Sequence, residues 1–395
     1  MAHPRTFLPL LLALSFALTA RAAVASPPSF SLAKTLNNPA GEDGDLFGHS
    51  VDLVGNYLLV GAPFTNMGAT NTGAAYLFDS SGTLLRTFQQ PNPAAGDWFG
   101  NEVAAVGDNV LIGDLGDDTD AHDAGAAFLF DGKTGKLLQT LQEPTPHDSD
   151  WFGASVAAAG PNLLVGAPLD HVGGVSAGGA YLFDGSTGKL LQSFHKPKPA
   201  EGEWFGVSMA AVGDNILIGA FLDNTGAPGA GAAYLFDSKT GALLHTFQAP
   251  KPVANGQFGI AVAAMGNTAI IGAPGDNAGQ PHAGAVYLFD TTSGQAQRVL
   301  QNPTPVQGEL FGSSVAVAGT NILVGAPGEA ATQAGAAYLF DAQTGALLQR
   351  FQNSTPAGGD MFGFWLAAAA DRLLIAAPGD HTGSNLGGAA YLYRQ

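Results

Sequence analysis

The fold is decided by the segment Trp151-Phe-Gly-Ala-Ser-Val-Ala-Ala-Ala-Gly160 and by the three stretches that follow it, Asn162-Leu-Leu-Val-Gly-Ala-Pro168, Gly179-Ala-Tyr-Leu-Phe-Asp184 and Leu190-Leu-Gln-Ser-Phe194. It contains four short apolar runs, and each run is bounded by Gly, Asn, Asp or Pro. This pattern is typical of strands joined by tight turns. The segment therefore predicts a unit of four β-strands.

The Phe-Gly pair of this segment recurs seven times, at intervals of 51 to 53 residues. The phenylalanines are Phe47, Phe99, Phe152, Phe205, Phe258, Phe311 and Phe362. A fixed period of this size indicates tandem supersecondary units, and four strands in about 50 residues fit a propeller blade. We therefore predict an all-β fold, a seven-bladed β-propeller of four-stranded antiparallel blades.

Two features predict that the blades close into a ring. The first strand of each unit has mostly small residues, as in 154–159, and the fourth has long ones, as in 190–194, which suits strands that radiate from an axis. The seventh unit ends after 389–393 without a fourth strand, whereas residues 29–37 resemble one. The N-terminal strand should therefore complete the last blade and remove both open edges.

Residues 1–25 have the pattern of an export signal. Arg5 precedes an apolar stretch over 7–20, and Ala23-Val24-Ala25 forms a small-residue cleavage site. The apolar stretch is too short to span a bilayer, so no transmembrane helix is expected. We predict an exported protein, extracellular, periplasmic or on the cell surface, with residues 26–395 forming a single propeller.

Composition narrows the range of partners. The chain has 32 Asp and Glu against 15 Lys and Arg, a formal net charge of −17, and no cysteine. Such a charge repels nucleic acid and favours cations or a basic partner. Without disulfides, the fold must be stabilised by its core and its closed topology. We expect a monomeric propeller.

The repeats also resemble a known family. Fourteen residues after Phe-Gly, a Gly-Ala-Pro follows at 61–63, 166–168, 272–274 and 325–327. This pattern resembles the FG-GAP repeat of integrin alpha-subunit propellers and their bacterial secreted relatives. The resemblance implies seven blades, an extracellular location and adhesion or ligand binding without catalysis. The calcium loops of that family are not expected here, because links such as Gly160-Pro161-Asn162 are too short to surround an ion.

Two acidic positions repeat with the blades. The entry acids lie two residues before each Phe and are Asp45, Asp97, Asp150, Glu203, Glu309 and Asp360. The exit acids lie two residues after the Gly-Ala-Pro position and are Asp117, Asp170, Asp223, Asp276, Glu329 and Asp380. Both sets should lie at the same end of the blades, so we predict an acidic face for a ligand, a cation or a partner protein. The alternative is that these carboxylates cap turns.

Two further groups are candidates for binding. Asp114, Asp117, Asp118, Asp120 and Asp123 place five carboxylates within ten residues, which is dense enough for a calcium site, although a solvated acidic turn explains them as well. Trp98, Trp151 and Trp204 precede Phe-Gly in three consecutive units. They could form a strip for a carbohydrate or a peptide, or pack between blades.

Motifs for catalysis are weak. The histidines are scattered over different repeat positions, and no Gly-x-Ser-x-Gly elbow is present. We therefore expect no enzyme but a binding or adhesion module for a protein or carbohydrate ligand, with calcium as a possible cofactor. The alternatives are a secreted hydrolase or lyase with its site in the central channel, recognisable by acids that do not repeat, and a structural envelope component.

Overall fold

The repeats form seven four-stranded antiparallel sheets, called blades one to seven here in the order of their Phe-Gly pairs. The computed structural model describes residues 28–172, 174–329, 333–381 and 387–395, so the predicted export signal lies outside the described residues. The strands of blades one to three are β2 (Ser50–Val54), β3 (Tyr57–Ala62), β4 (Ala74–Phe78), β5 (Leu84–Phe88); β6 (Val103–Val106), β7 (Asn109–Asp114), β8 (Ala126–Asp131), β9 (Leu137–Leu141); and β10 (Ser155–Ala159), β11 (Asn162–Ala167), β14 (Gly179–Phe183), β15 (Leu190–Phe194). A short hairpin of β12 (His171–Val172) and β13 (Val175–Ser176) projects from blade three.

Blades four to six repeat this plan. Their strands are β16 (Phe205–Val212), β17 (Asn215–Ala220), β18 (Ala232–Asp237), β19 (Leu243–Phe247); β20 (Val262–Met265), β21 (Thr268–Ala273), β22 (Ala285–Asp290), β23 (Ala296–Leu300); and β24 (Ser314–Ala318), β25 (Asn321–Ala326), β26 (Ala336–Asp341), β27 (Leu347–Phe351). Among the described residues, no helix has the length and apolar character needed to cross a membrane.

Blade seven combines the two ends of the chain. It contains β28 (Leu366–Ala368), β29 (Arg372–Ala377), β30 (Ala389–Arg394) and, as its outer strand, β1 (Ser31–Asn37). β1 pairs antiparallel with β30. The Gln349 side chain of blade six accepts the Phe30 N–H at 2.9 Å and donates to the Phe30 carbonyl at 2.7 Å. The predicted closure by the N-terminal strand is therefore confirmed.

The core lies between neighbouring blades. Each Phe of a Phe-Gly pair is fully buried. Phe99, for example, packs against Phe128 and Phe130 with ring centroids 5.8 and 6.1 Å apart, in a cluster that also holds Leu59 and Leu77 of blade one. Fully burying one such side chain contributes about 1.5–3 kcal/mol. The repeated Phe therefore joins each blade to its neighbour.

The glycine of Gly-Ala-Pro allows this close approach. A Cβ atom on Gly61 would overlap the carbonyl oxygen of Gly100 in the next blade. The same holds at the equivalent position of blades two to six. Blade seven has Ala376 there, and its Cβ faces Gly48 of blade one. The replacement of this glycine by alanine therefore lies at the junction of blades seven and one, where the ring closes.

The two ends of the blades differ in character. The rear face, which carries the turns between first and second and between third and fourth strands, is polar. There the Asp184 carboxylate caps its turn by accepting the Thr187 N–H at 2.8 Å, and Lys133 pairs with Asp108 at 2.6 Å. The opposite end, called the mouth face here, carries the loops that enter the first strand and the loops that join the second strand to the third. All candidate binding residues lie on these loops or beside them.

Candidate functional site

The residue before each Phe-Gly pair has a left-handed backbone in all seven blades, with φ between 51° and 60°. These residues are Leu46, Trp98, Trp151, Trp204, Gln257, Leu310 and Met361. This conformation costs about 1–2 kcal/mol for a residue with a Cβ, and it is usually taken by Gly or Asn. Every blade nevertheless places a large side chain there, half-buried at the mouth face.

Five of these seven side chains, all but those of Leu46 and Trp98, border a cavity of about 460 Å³ at the centre of the mouth face. Every blade contributes the residue that follows its Phe-Gly pair, namely His49, Asn101, Ala154, Val207, Ile260, Ser313 and Phe364. Aromatic and apolar side chains surround them, including Trp151, Trp204, Leu310, Met361 and Trp365. The cavity is therefore an apolar mouth on the propeller axis.

Two of the three tryptophans that the sequence suggested as binding residues line this cavity. Trp151 and Trp204 meet edge to face with centroids 5.6 Å apart, and Trp204 packs in the same way on Phe221 at 5.4 Å. Trp98 instead packs against Phe64 at 5.7 Å and does not line the cavity. The sequence pattern also missed Trp365, which occupies a position that is serine in four other blades.

A second cavity of about 290 Å³ lies below the mouth, between the first strands of the blades. It contains two carboxyl groups at positions that do not repeat, Asp52 and Glu102. Burial raises the pKa of Asp52 to about 6, although it accepts the N–H groups of Leu53 and Ala105, both at 2.7 Å. Burial, with the nearby charge of Asp52, raises the pKa of Glu102 well above its ordinary value. Sequence inspection missed this pair because the two residues lie 50 positions apart and meet only when blade one packs against blade two near the axis.

The entry acids lie inside the protein rather than on its surface. All six are at most 2% exposed. Most cap the loop before them: Asp97, Asp150 and Asp360 accept the N–H three residues earlier at 2.5, 2.6 and 2.7 Å. Glu203 and Glu309 do the same at 3.1 and 3.2 Å. These contacts match the turn-capping alternative.

The exit acids are held by tyrosines. Five third strands carry a Tyr whose hydroxyl donates to the exit acid of the same blade, in the pairs Tyr181 and Asp170, Tyr234 and Asp223, Tyr287 and Asp276, Tyr338 and Glu329, and Tyr391 and Asp380. Asp276 is partly exposed, and the others are at least nine-tenths buried. The expected acidic mouth is therefore absent from these positions in the described structure. Their carboxylates face inward because the loop N–H groups and tyrosine hydroxyls need buried acceptors.

A third repeated position completes each polar cluster. It lies seven residues before the entry acid, at the end of the preceding blade, and holds Asn38, Gln90, Glu143, Lys196, Ala249, Asn302 and Asn353 in turn. In blade four the Lys196 ammonium lies 2.6 Å from Glu203 and 2.7 Å from Asp223. In blade seven the Asn353 amide donates to Asp360 at 2.9 Å and to Asp380 at 2.7 Å. This bridging position was missed because its residue type changes between blades.

Blade three has a glutamate at the bridging position. Glu143, Asp150 and Asp170 are 5%, 0% and 3% exposed, and each contributes an oxygen such that the three atoms lie within 4.8 Å of one another. The Tyr181 hydroxyl bonds Asp170 at 2.6 Å and Glu143 at 2.9 Å. Burial, followed by the charges of Asp170 and Asp150, raises the pKa of Glu143 to about 9. His171 Nδ1 lies 2.7 Å from Asp150 Oδ1 at the outer edge.

The acidic segment 114–123 divides into an inward and an outward part. Asp114 is fully buried, and neither of its carboxylate oxygens has a hydrogen-bond partner among the described residues. Burial, with the charges of Asp97 and Asp117, raises its pKa well above the ordinary value. Asp117 is also buried and accepts the Thr119 N–H at 2.9 Å.

The outward part lies at the surface. There Asp118 and Asp123 approach His122, and Asp118 accepts the Asp123 N–H at 2.7 Å. Asp120 is exposed. The structure does not bring the five carboxylates together, and calcium binding in this segment stays a prediction.

The fold, the repeat geometry and the mouth define a class, the β-propeller built from tandem repeats. The model of the FG-GAP repeat matches residues 33–78, 90–130, 145–183, 197–236, 247–289 and 305–340. The chain belongs to the FG-GAP repeat family, as its sequence pattern predicted. A comparison with curated proteins gives no match.

Proposed function

We propose that the protein is an exported binding module that holds an apolar or aromatic group of a protein or carbohydrate ligand in its mouth. The observation that carries this proposal is the cavity of about 460 Å³ on the axis, with Trp151, Trp204 and Trp365 among its lining residues. Ligand sites are typically concave and apolar, with a few polar groups. Here Asn101, Glu102 and Ser313 supply such groups.

The backbone supports the same proposal. A left-handed conformation at a Trp, Leu or Met costs free energy that Gly would avoid, and such conformations concentrate at functional sites. Five of the seven left-handed residues line the cavity. Export is supported by the signal pattern in residues 1–25, and the net charge of −17 favours a ligand with a basic surface.

The test compares two tryptophans at the same repeat position. Trp151 and Trp98 have nearly the same backbone, with φ of 58° and 60°, but only Trp151 lines the cavity. Saturation-transfer NMR with indole and with cellobiose should give signals on the native protein. We expect Trp151→Ala to weaken the binding of the responding probe about tenfold, the equivalent of about 1.4 kcal/mol.

Trp98→Ala is the matched control and should keep native affinity. Circular dichroism must show that both variants remain folded. Equal losses in the two variants, or no signal from either probe on the native protein, would contradict the proposal. A signal from cellobiose alone or from indole alone would assign the ligand to carbohydrates or to aromatic groups of proteins.

A hydrolase with its site in the channel is a second candidate, favoured by one observation. Asp52 and Glu102 are acids of the channel that do not follow the repeat, and the raised pKa of Glu102 suits a general acid. Both oxygens of Asp52, however, accept backbone N–H groups and tie blade one to blade two. Binding in the mouth is therefore the better supported function.

A further inference from the structure

The bridging position of blade three has the opposite charge from that of blade four. In blade four, a lysine ammonium lies within 2.7 Å of the entry and exit acids. In blade seven, an asparagine amide donates to both acids. Blade three has Glu143 at this position, so three carboxyl groups meet where the other two blades bring a donor.

Within the described part of the chain, the cluster of blade three has no lysine or arginine as a counter-charge; the basic side chains beside it are His147 and His171 at Asp150, at 3.3 and 2.7 Å, and His195 at Asp170, at 3.8 Å. Glu143 is 95% buried, and its Oε2 atom has no hydrogen-bond partner among the described residues. The Tyr181 hydroxyl has one proton to share between Glu143 and Asp170, which lie at 2.9 and 2.6 Å. Burying carboxylates without a counter-charge is costly, because water no longer solvates them. A cation bound among the three carboxyl groups would supply a partner for this oxygen.

We propose that Glu143, Asp150 and Asp170 bind a divalent cation that takes the place of the lysine ammonium of blade four. Three carboxylate oxygens within 4.8 Å of one another are suitable ligands for a hard cation such as Ca²⁺ or Mn²⁺. The site lies at the mouth end of the blade, away from the link between its first and second strands.

The surroundings fit such a site. His171 Nδ1 lies 2.7 Å from Asp150 Oδ1, and Ser176 on the projecting hairpin lies 3.1 Å from His171 Nε2. Partners of this kind orient a liganding carboxylate. The side chains of His147 and His171 are 51% and 36% exposed, so the outer edge of the cluster is open to solvent. A cation can therefore enter from the mouth face.

The test titrates Ca²⁺ and Mn²⁺ separately into the full chain after treatment with EDTA, using calorimetry and thermal unfolding. One equivalent of at least one of the two ions should bind, and the melting temperature should rise with its concentration. In Glu143→Gln the affinity should fall at least tenfold. Glu143→Lys reproduces the arrangement of blade four and should abolish binding while the protein melts at the same temperature with and without the ion.

Asp118→Asn is the matched control, because it disrupts the surface group of Asp118, His122 and Asp123 and leaves blade three intact. It should bind as the native protein does. Binding lost in Asp118→Asn but kept in Glu143→Gln would overturn the proposal and place the ion in the segment 114–123. An unchanged melting temperature with both ions at millimolar concentration would also overturn it, leaving a proton on Glu143 as the compensating charge. If Glu143→Lys fails to fold, Glu143→Gln decides alone.

Discussion

Blades three and four share the four-stranded plan and the same three polar positions. They differ in the charge of the residue that contacts the buried entry and exit acids. Glu143, Asp150 and Asp170 meet in blade three, whereas Lys196 bridges the corresponding acids of blade four. The difference arises from one residue at the end of the preceding blade. The comparison shows that the repeat determines where the polar cluster lies. The bridging residue determines whether a side chain of the protein compensates the charge of the buried entry and exit acids.

Removing the Lys196 ammonium group from blade four should lower the free energy of unfolding more than any other substitution considered below. Lys196→Ala leaves Glu203 and Asp223 buried at 2% and 0% exposure without their counter-ion. Breaking a buried ion pair in this way costs about 3–5 kcal/mol. We expect urea unfolding at neutral pH to report a loss of that size.

Lys198→Ala is the control, since Lys198 is exposed two residues further along the chain. Its effect should stay within about 0.5 kcal/mol. A loss below about 1 kcal/mol in Lys196→Ala would mean that the two acids do not depend on the ammonium, and the contrast between blades three and four would lose its basis.

Blade two extends the comparison, because it too buries acids without a cation. Asp114 replaces the alanine of Gly-Ala-Pro, and neither of its oxygens has a partner among the described residues. A buried polar group without a hydrogen bond costs about 1–3 kcal/mol. Asp114→Ala, which restores the alanine of the other six blades, should therefore stabilise the protein by that amount in thermal or urea unfolding.

The control for this gain is Asp120→Ala, at an exposed residue of the same acidic segment. It should change the free energy of unfolding by no more than about 0.5 kcal/mol. If Asp114→Ala destabilised the protein instead, the Asp114 carboxyl group would have to contribute an interaction that outweighs its burial.

The fold could be predicted from the sequence because its signals are local and repeat. Phe-Gly at a fixed period predicted the seven blades, and residues 29–37 predicted the closing strand. The sites were harder, because their geometry depends on how blades meet. The entry and exit acids were assigned to the surface since loops are usually solvated, whereas loop N–H groups and strand tyrosines draw them inside.

The residues that were missed are those without a repeating identity. Glu143 lies on the blade before the acids it contacts, so its role is visible only when neighbouring blades are compared. Glu102 and Trp365 interrupt positions that are otherwise small, and the closed ring brings them to the axis. Each of them could have been found from one signal, a residue that differs in type from those at the same position in the other blades.

The pH dependence of stability should distinguish blade two, which buries acids without a cation, from blade four, where Lys196 pairs with them. Burial raises the pKa of Asp114 well above 3.8, and the charges of Asp97 and Asp117 raise it further. Below pH 3.8 the group is neutral in both states. As pH rises above 3.8 the unfolded chain releases its proton while the folded protein keeps it, so stability falls until the folded pKa is passed. The gain from Asp114→Ala should therefore be larger at pH 7.5 than at pH 5.5.

Asp223 in blade four should behave in the opposite way. Burial acts to raise its pKa, but the Lys196 ion pair and the hydrogen bonds of Thr225 and Tyr234 outweigh burial, and the pKa is lowered. Its contribution to stability is therefore present above pH 3.8 and is lost as pH falls through the lower folded pKa. Between pH 7.5 and 5.5 the loss caused by Asp223→Asn should stay constant, whereas the gain caused by Asp114→Ala shrinks. Parallel pH dependence in the two variants would mean that the bridging lysine does not set the charge state of its cluster.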